Sequence, residues 1–145
     1  MSTLRKFLTH QGFIRIPLTK TVTNHFEMLV KVNGVPGNFI LDTGASNSCI
    51  GMEFAEEFLL IAEDSDIKAA GAGSIDLLTQ TSTKNTVEIE NWKNTKIDLV
   101  LIDLTYINTA LENHQANKVK GIIGADILQK GKAVIDYKTK CLYLK

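Results

Sequence analysis

Apolar and polar positions alternate in short stretches along most of this chain, and the period changes in only a few places. Between His25 and Val32, Phe26, Met28 and Val30 fall on one face and Glu27 and Lys31 on the other, the two-residue repeat of a half-buried strand. Asn33-Gly34 follows at once, a strong signal for a tight hairpin. The return strand passes Pro36 and Gly37 into the unbroken apolar run Phe39-Ile40-Leu41. The period then lengthens. From Met52 to Ile61, Phe54 and Phe58 lie four apart and Ala55 and Leu59 repeat that spacing, while Glu53, Glu56 and Glu57 fall off the stripe, which predicts a short amphipathic helix. Ile67 to Thr83 reads as two strands around the small-residue run Ala69-Ala70-Gly71-Ala72-Gly73-Ser74. Two more strands are expected at Thr86–Ile89 and Thr95–Asp103, joined by a turn around Asn91-Trp92. In the second of these Ile97, Leu99 and Leu101 alternate with Asp98, Val100 and Ile102, so most of it is expected to be buried on both faces.

A helical turn holding Leu111 is expected within Thr105–His114, a helix should start over Ala125 to Gln129, and Lys132–Tyr137 pairs with Cys141–Leu144 across Lys138-Thr139. Phe13–Leu18 contains Pro17 and suits an edge strand, and Met1–Gln11 reads as an arm. Many short strands separated by turn signals predict an all-β class: mainly β with one or two short helices, curled into a barrel.

Composition narrows the function classes. At 145 residues the chain is expected to be one domain, 1–145, large enough to bury about two-thirds of its unfolded surface. Its 16 basic and 16 acidic residues balance, with no long run of either sign, which argues against a nucleic-acid partner or an anionic membrane. Nothing approaches the ~20 apolar residues that span a bilayer. Arg5 and Lys6 near the start are followed by no apolar core of a secretion signal, so a cytoplasmic location and reduced Cys49 and Cys141 are expected.

Candidate chemistry concentrates at Asp42-Thr43-Gly44-Ala45, where the apolar run stops at a carboxylate. An ionised Asp at the edge of a core is costly unless donors or a charge partner compensate it. Gly44 lacks a Cβ, so the chain can turn and bring backbone N–H groups onto that carboxylate. An ordinary turn Asp is the blander possibility. Other constellations are weaker. Gly44-Ala45-Ser46-Asn47-Ser48 misses the G-x-S-x-G elbow because its last position is Ser, His10, His25 and His114 are scattered, and Cys49 reads as a small core residue. No His or Cys pair has metal-ligand spacing, Asp64-Ser65-Asp66 lacks the Gly and Glu of a calcium loop, and neither metal nor cofactor is expected. Asp98, Asp103 and Asp136 are expected to be strand-edge or turn carboxylates.

A second apolar stretch, Val119-Lys120-Gly121-Ile122-Ile123-Gly124-Ala125-Asp126-Ile127-Leu128, echoes the first. Ile40-Leu41-Asp42-Thr43-Gly44 followed later by Ile122-Ile123-Gly124 resembles the retropepsin-like aspartic proteases, single-domain relatives of pepsin. The resemblance runs from about His25 to Leu144, and Ala45, Ser48 and Gly121–Leu128 bring it nearest to the small bacterial members. It implies an acid-protease barrel and a C2 homodimer acting on a peptide or protein substrate, with Asp42 of each copy meeting on the axis. It further implies that Thr43 bonds across the axis, that Gly44 gives its N–H to Asp42, and that Ile122, Ile123 and Gly124 pack beneath the loop. Gly71, Ala72 and Gly73 would be the flap over the substrate, and Leu142-Tyr143-Leu144 with the N-terminal arm would form the sheet between subunits. Two other possibilities stand beside this one: a retropepsin-fold module that binds peptides or dimerises without catalysis, and a plain β-barrel.

Overall fold

The computed structural model describes the backbone of residues 3–70 and 76–145, and the side chains of these except 65–70 and 76–78. In chain order the elements are α1 (Leu4–His10), β1 (Ile14–Pro17), β2 (Thr19–Lys20), β3 (Phe26–Val32), β4 (Val35–Leu41), β5 (Cys49–Gly51), a 3-10 turn (Met52–Phe54), β6 (Glu63–Ala70), β7 (Asp76–Ile89) and β8 (Trp92–Ile102). There follow α2 (Thr105–Asn113), β9 (Gly121–Ile123), α3 (Ala125–Lys130), β10 (Val134–Asp136) and β11 (Cys141–Leu144). Among the described residues the strands form an eight-stranded sheet, β2-β3-β4-β9-β5-β8-β7-β6, and a three-stranded sheet, β1-β11-β10. Lys31↔Glu88 and Val32↔Val87 also join β3 to β7, so the larger sheet curls back on itself into a barrel. No helix among the described residues is long and apolar enough to cross a membrane.

The Asn33-Gly34 hairpin is present, with Val32 facing Val35 and both turn residues in the left-handed region at φ 51° and 85°, as a two-residue primed turn requires. The returning β4 alternates between two apolar layers. Phe39 and Leu41 face the main core with Phe58, Ile50, Ile123 and Leu142, and the Phe39 and Phe58 rings meet edge-on at 6.0 Å. Ile40 turns to the opposite face, beneath α2, with Leu111 and Val119. In β8, Val100 and Ile102 join a cluster with Cys49, Leu104 and Ile122 while Leu99 and Leu101 join the main core, so this stretch is buried on both faces as its sequence predicts.

Five expectations change. The strand expected to end at Thr83 and the one expected at Thr86–Ile89 are a single strand, β7. Met52–Ile61 is not a helix: a 3-10 turn and one further turn stop at Leu59, whose φ of 58° closes the chain with Leu60 N–H on Ala55 O at 2.9 Å. The apolar stripe is oriented as predicted, for Phe58 is fully buried and Phe54 and Ala55 pack on the core, but so short a segment is held by these anchors alone. Met1–Gln11 is more than an arm: Thr3 caps α1 by accepting from Lys6 N–H at 3.2 Å, and Leu8 is buried against Cys141 and Tyr143. Glu27, expected on an exposed face, is buried. Finally, Leu142-Tyr143-Leu144 lies in β11, the middle strand of the small sheet, buried throughout and bonded to β1 and β10 on its two edges. A strand with both edges taken offers none to a second subunit.

Candidate active site

Asp42 lies at the end of β4, where the parallel ladder with β9 runs out. The last paired rung is Leu41↔Ile123, and Asp42 N–H extends it by donating to Ile123 O at 3.0 Å. The chain then turns: Ala45 N–H donates to Asp42 O at 3.2 Å, and Gly44 N–H donates to Asp42 Oδ1 at 2.9 Å. Asp42, Thr43 and Gly44 are all exposed. The carboxylate is thus oriented by one backbone donor and keeps most of its lone pairs free.

The second loop, Ile122-Ile123-Gly124, lies directly against the first. Ile122 extends the β4–β9 pairing beside Ile40, Ile123 faces the core, and Gly124 touches the backbone of the first loop. A Cβ on Gly124 would lie 2.7 Å from Ala45 O and 3.0 Å from Asn47 O, so the close approach of the two loops requires glycine there. Ala125 N–H donates to Ala45 O at 2.7 Å.

Two residues not singled out as site residues complete the contact. Asp126 accepts from Ser48 N–H at 2.9 Å, Ser48 Oγ–H at 2.7 Å and Ile127 N–H at 2.8 Å, and Ser48 Oγ accepts from Gly124 N–H at 2.8 Å. The available signal was a lone acid within the apolar run Gly121–Leu128, which a helix alone does not need. Cys49, next to Ser48, has its thiol pushed up to about 12 by burial and then by the charges of Asp126 and Asp42. It stays a protonated core residue rather than a thiolate nucleophile. His25 bonds Thr23 and His114 bonds Ala110 O, so neither serves as base to Ser48. Asp103 and Asp136 accept from backbone N–H groups two residues on, as turn carboxylates, while Asp98, within β8, accepts from Lys84 N–H of β7. Hydrogen bonds from Thr105 hold Asp103 below the usual carboxylate range, and that from Thr139 does the same for Asp136. No group of three or more His, Cys, Asp or Glu side chains among the described residues is arranged to hold a metal ion.

Strands β6 and β7 pair antiparallel up to Ala70↔Asp76, so a hairpin is present where the flap was expected. The flap candidates Gly71, Ala72 and Gly73 themselves lie outside the described residues. Thr43 also lines an open groove of about 370 Å³ with Ala125, Leu128, Gln129, Lys132, Ala133 and Ile135.

This barrel, with its two interlocked loops, is the fold of the retropepsin-like aspartic proteases. The EIAV protease in complex with an inhibitor matches it with a TM-score of 0.61 at 20% identity, over 81% of this chain and 98% of that one. A retropepsin-like aspartic protease from Rickettsia conorii gives 0.59 at 20% identity, covering 92% of this chain and 89% of its own. The retroviral protease-like domain of Ddi1 from Leishmania major gives 0.55 at 19% identity, over 82% and 86% of the two chains. A search of curated proteins found no match. The model of the aspartyl protease family matches residues 28–127, and the chain belongs to that family.

Proposed function

We propose that this protein is an aspartic endopeptidase acting on peptides or proteins as a C2 homodimer, with water activated between the Asp42 carboxylates of two copies. One observation carries the proposal. Asp42 is exposed on a loop tied down by the second loop; Ile122-Ile123-Gly124 contains no carboxylate, and Asp126, which follows it in α3, is taken up by Ser48 and Ile127 rather than paired with Asp42. The chemistry requires two: at about 3 Å apart they cannot both ionise, so one keeps a proton. The ionised member takes a proton from the water, the protonated one gives its proton to the scissile carbonyl, and a neutral gem-diol forms without an acyl-enzyme. The missing carboxylate is then the twin from a second copy, and a self-complementary two-fold contact suits a loop that must face itself. Thr43, beside the axis, is the candidate for bonding across it.

The place for the second copy is the side of Thr43. There β10 is bonded to β11 on one edge and to no strand on the other among the described residues, and the groove lined by Leu128, Ala133 and Ile135 lies alongside. An open edge beside an apolar groove accepts a further strand through main-chain hydrogen bonds. The whole of 1–145 is taken as one protease unit, with the β6–β7 hairpin covering the substrate.

Asp42→Asn tests the chemistry. It should abolish cleavage of a generic peptide library at acidic to neutral pH while leaving fold and dimer in place; undiminished cleavage ends the proposal. Sedimentation at micromolar concentration tests the dimer separately. Wild-type protein that binds a pepstatin-type inhibitor but turns over no peptide would be the non-catalytic binding module instead.

A further inference from the structure

The two loops meet at a carboxylate that the proposed reaction does not use. Asp126 Oδ1 takes three donors, Ser48 N–H, Ser48 Oγ–H and Ile127 N–H, and Oδ2 shares the Ser48 N–H at 3.0 Å. Having spent its own proton on Asp126, Ser48 Oγ accepts from Gly124 N–H. Three successive residues of the second loop therefore bond to the first: Ile123 O to Asp42 N–H, Gly124 N–H to Ser48 Oγ, and Ala125 N–H to Ala45 O. The bonds that a carboxylate accepts are the short, strong and directional members of such a set. They end only a few residues from Asp42, whose own contacts to Gly44 and Ala45 are single backbone hydrogen bonds. A shift of Ser48 or Gly124 has little slack in which to die out, because the loops lie so close that a Cβ on Gly124 would sit 2.7 Å from Ala45 O.

We infer that Asp126 is a positioning residue for Asp42: through Ser48 and Gly124 it sets the height and tilt at which the Asp42 carboxylate is presented to its twin. The kinetic consequence rests on the peptidase proposal; the structural one does not. Two carboxylates that must share a proton at about 3 Å tolerate little displacement, and a misplacement near 1 Å costs on the order of a hundredfold in rate.

Asp126→Asn retains the shape and one acceptor oxygen but sets an amide N–H₂ against the Ser48 or Ile127 N–H. The expected result is a fall in kcat of roughly 10- to 100-fold per inhibitor-titrated site with little change in KM, since ground-state peptide contacts are untouched. The pH profile of kcat/KM should shift as well, because the spacing of the dyad changes. Ser48→Ala should reproduce the loss, and Ser48→Thr, which keeps a hydroxyl, should restore most of it. In Asp126→Asn and Ser48→Ala the NMR resonance of the Gly44 amide, which donates to Asp42 Oδ1, should move in otherwise folded protein. Unchanged kcat per titrated site with an unmoved Gly44 amide overturns the inference. Should Asp126→Asn fail to fold, the Ser48 pair decides by the same readouts. If the wild type cleaves nothing, the peptidase proposal fails, and the Gly44 amide alone decides whether Asp126 positions Asp42.

Discussion

Asp42 lies on the first loop and Asp126 in the first turn of α3, just after the second, yet one carboxylate is exposed with a single donor and the other is half-buried with three. The difference lies in how many lone pairs are left. A carboxylate oxygen that already accepts three donors cannot turn without breaking bonds it makes, so it serves as a fixed anchor. A carboxylate held by one donor is oriented but still free to react. On the proposed reading, Asp42 does the chemistry and Asp126 holds it in place.

The sharpest way to break this comparison is Asp42→Asn, which should reduce peptide cleavage to background in a steady-state assay with an unchanged circular dichroism spectrum. Next in size is Ile135→Lys. This half-buried residue lines the groove beside Thr43, and a lysine stem can carry its charge out to water in the monomer but not under a packed second copy. Sedimentation should show loss of the dimer at micromolar concentration, and activity should fall with it; a stable, active dimer would move the interface elsewhere.

A smaller effect is expected at the contact between the two loops. Gly124→Ala puts a methyl group against Ala45 O and Asn47 O, which are backbone atoms that cannot swing aside. Overpacking of this kind costs about 1–3 kcal/mol, measurable by urea unfolding, and should lower kcat by displacing Asp42.

The smallest effect sharpens the comparison with a third carboxyl, Glu27. It shares a row with Ile40 on the neighbouring strand, and its Oε1 is buried without a hydrogen-bond partner among the described residues. Burial raises its pKa above the usual glutamate range. An acid whose folded pKa is raised supports the fold fully below its unfolded pKa, and that support is lost as pH rises through the folded value. Thermal stability should therefore decline with rising pH over that interval, and Glu27→Gln should flatten the decline and raise Tm at neutral pH. Equal profiles for the two proteins would show that the carboxyl finds water or a partner in solution.

Much of the architecture was legible because it is written in local pattern. The alternation of Phe26, Met28 and Val30, the left-handed preference of Asn33-Gly34, and the apolar run ending at Asp42 each determine a strand, a turn or a strand end within a few residues. The paired motifs Asp42-Thr43-Gly44 and Ile122-Ile123-Gly124 carried the family. What failed was of another kind. The Phe54/Phe58 stripe has helical spacing, but the chain there is stopped by a left-handed Leu59, and packing against Phe39 rather than propensity holds Phe58. Cys141–Leu144 looks like a terminal strand with an edge to spare until β1 and β10 occupy both sides.

By itself, the sequence determined the alternating strand from Phe26 to Val32, the Asn33-Gly34 hairpin, the apolar strand that ends at Asp42, and the glycine that lets the loop turn there. Only the tertiary structure decided that Ser48 and Asp126, 78 positions apart, tie the two loops together, that Glu27 is buried, and that β10 rather than β11 has an edge unpaired among the described residues. Periodicity reports which face of an element is apolar. It says nothing about which distant element covers that face, because the cover is chosen by three-dimensional closure of the barrel, where residues far apart in the chain become neighbours.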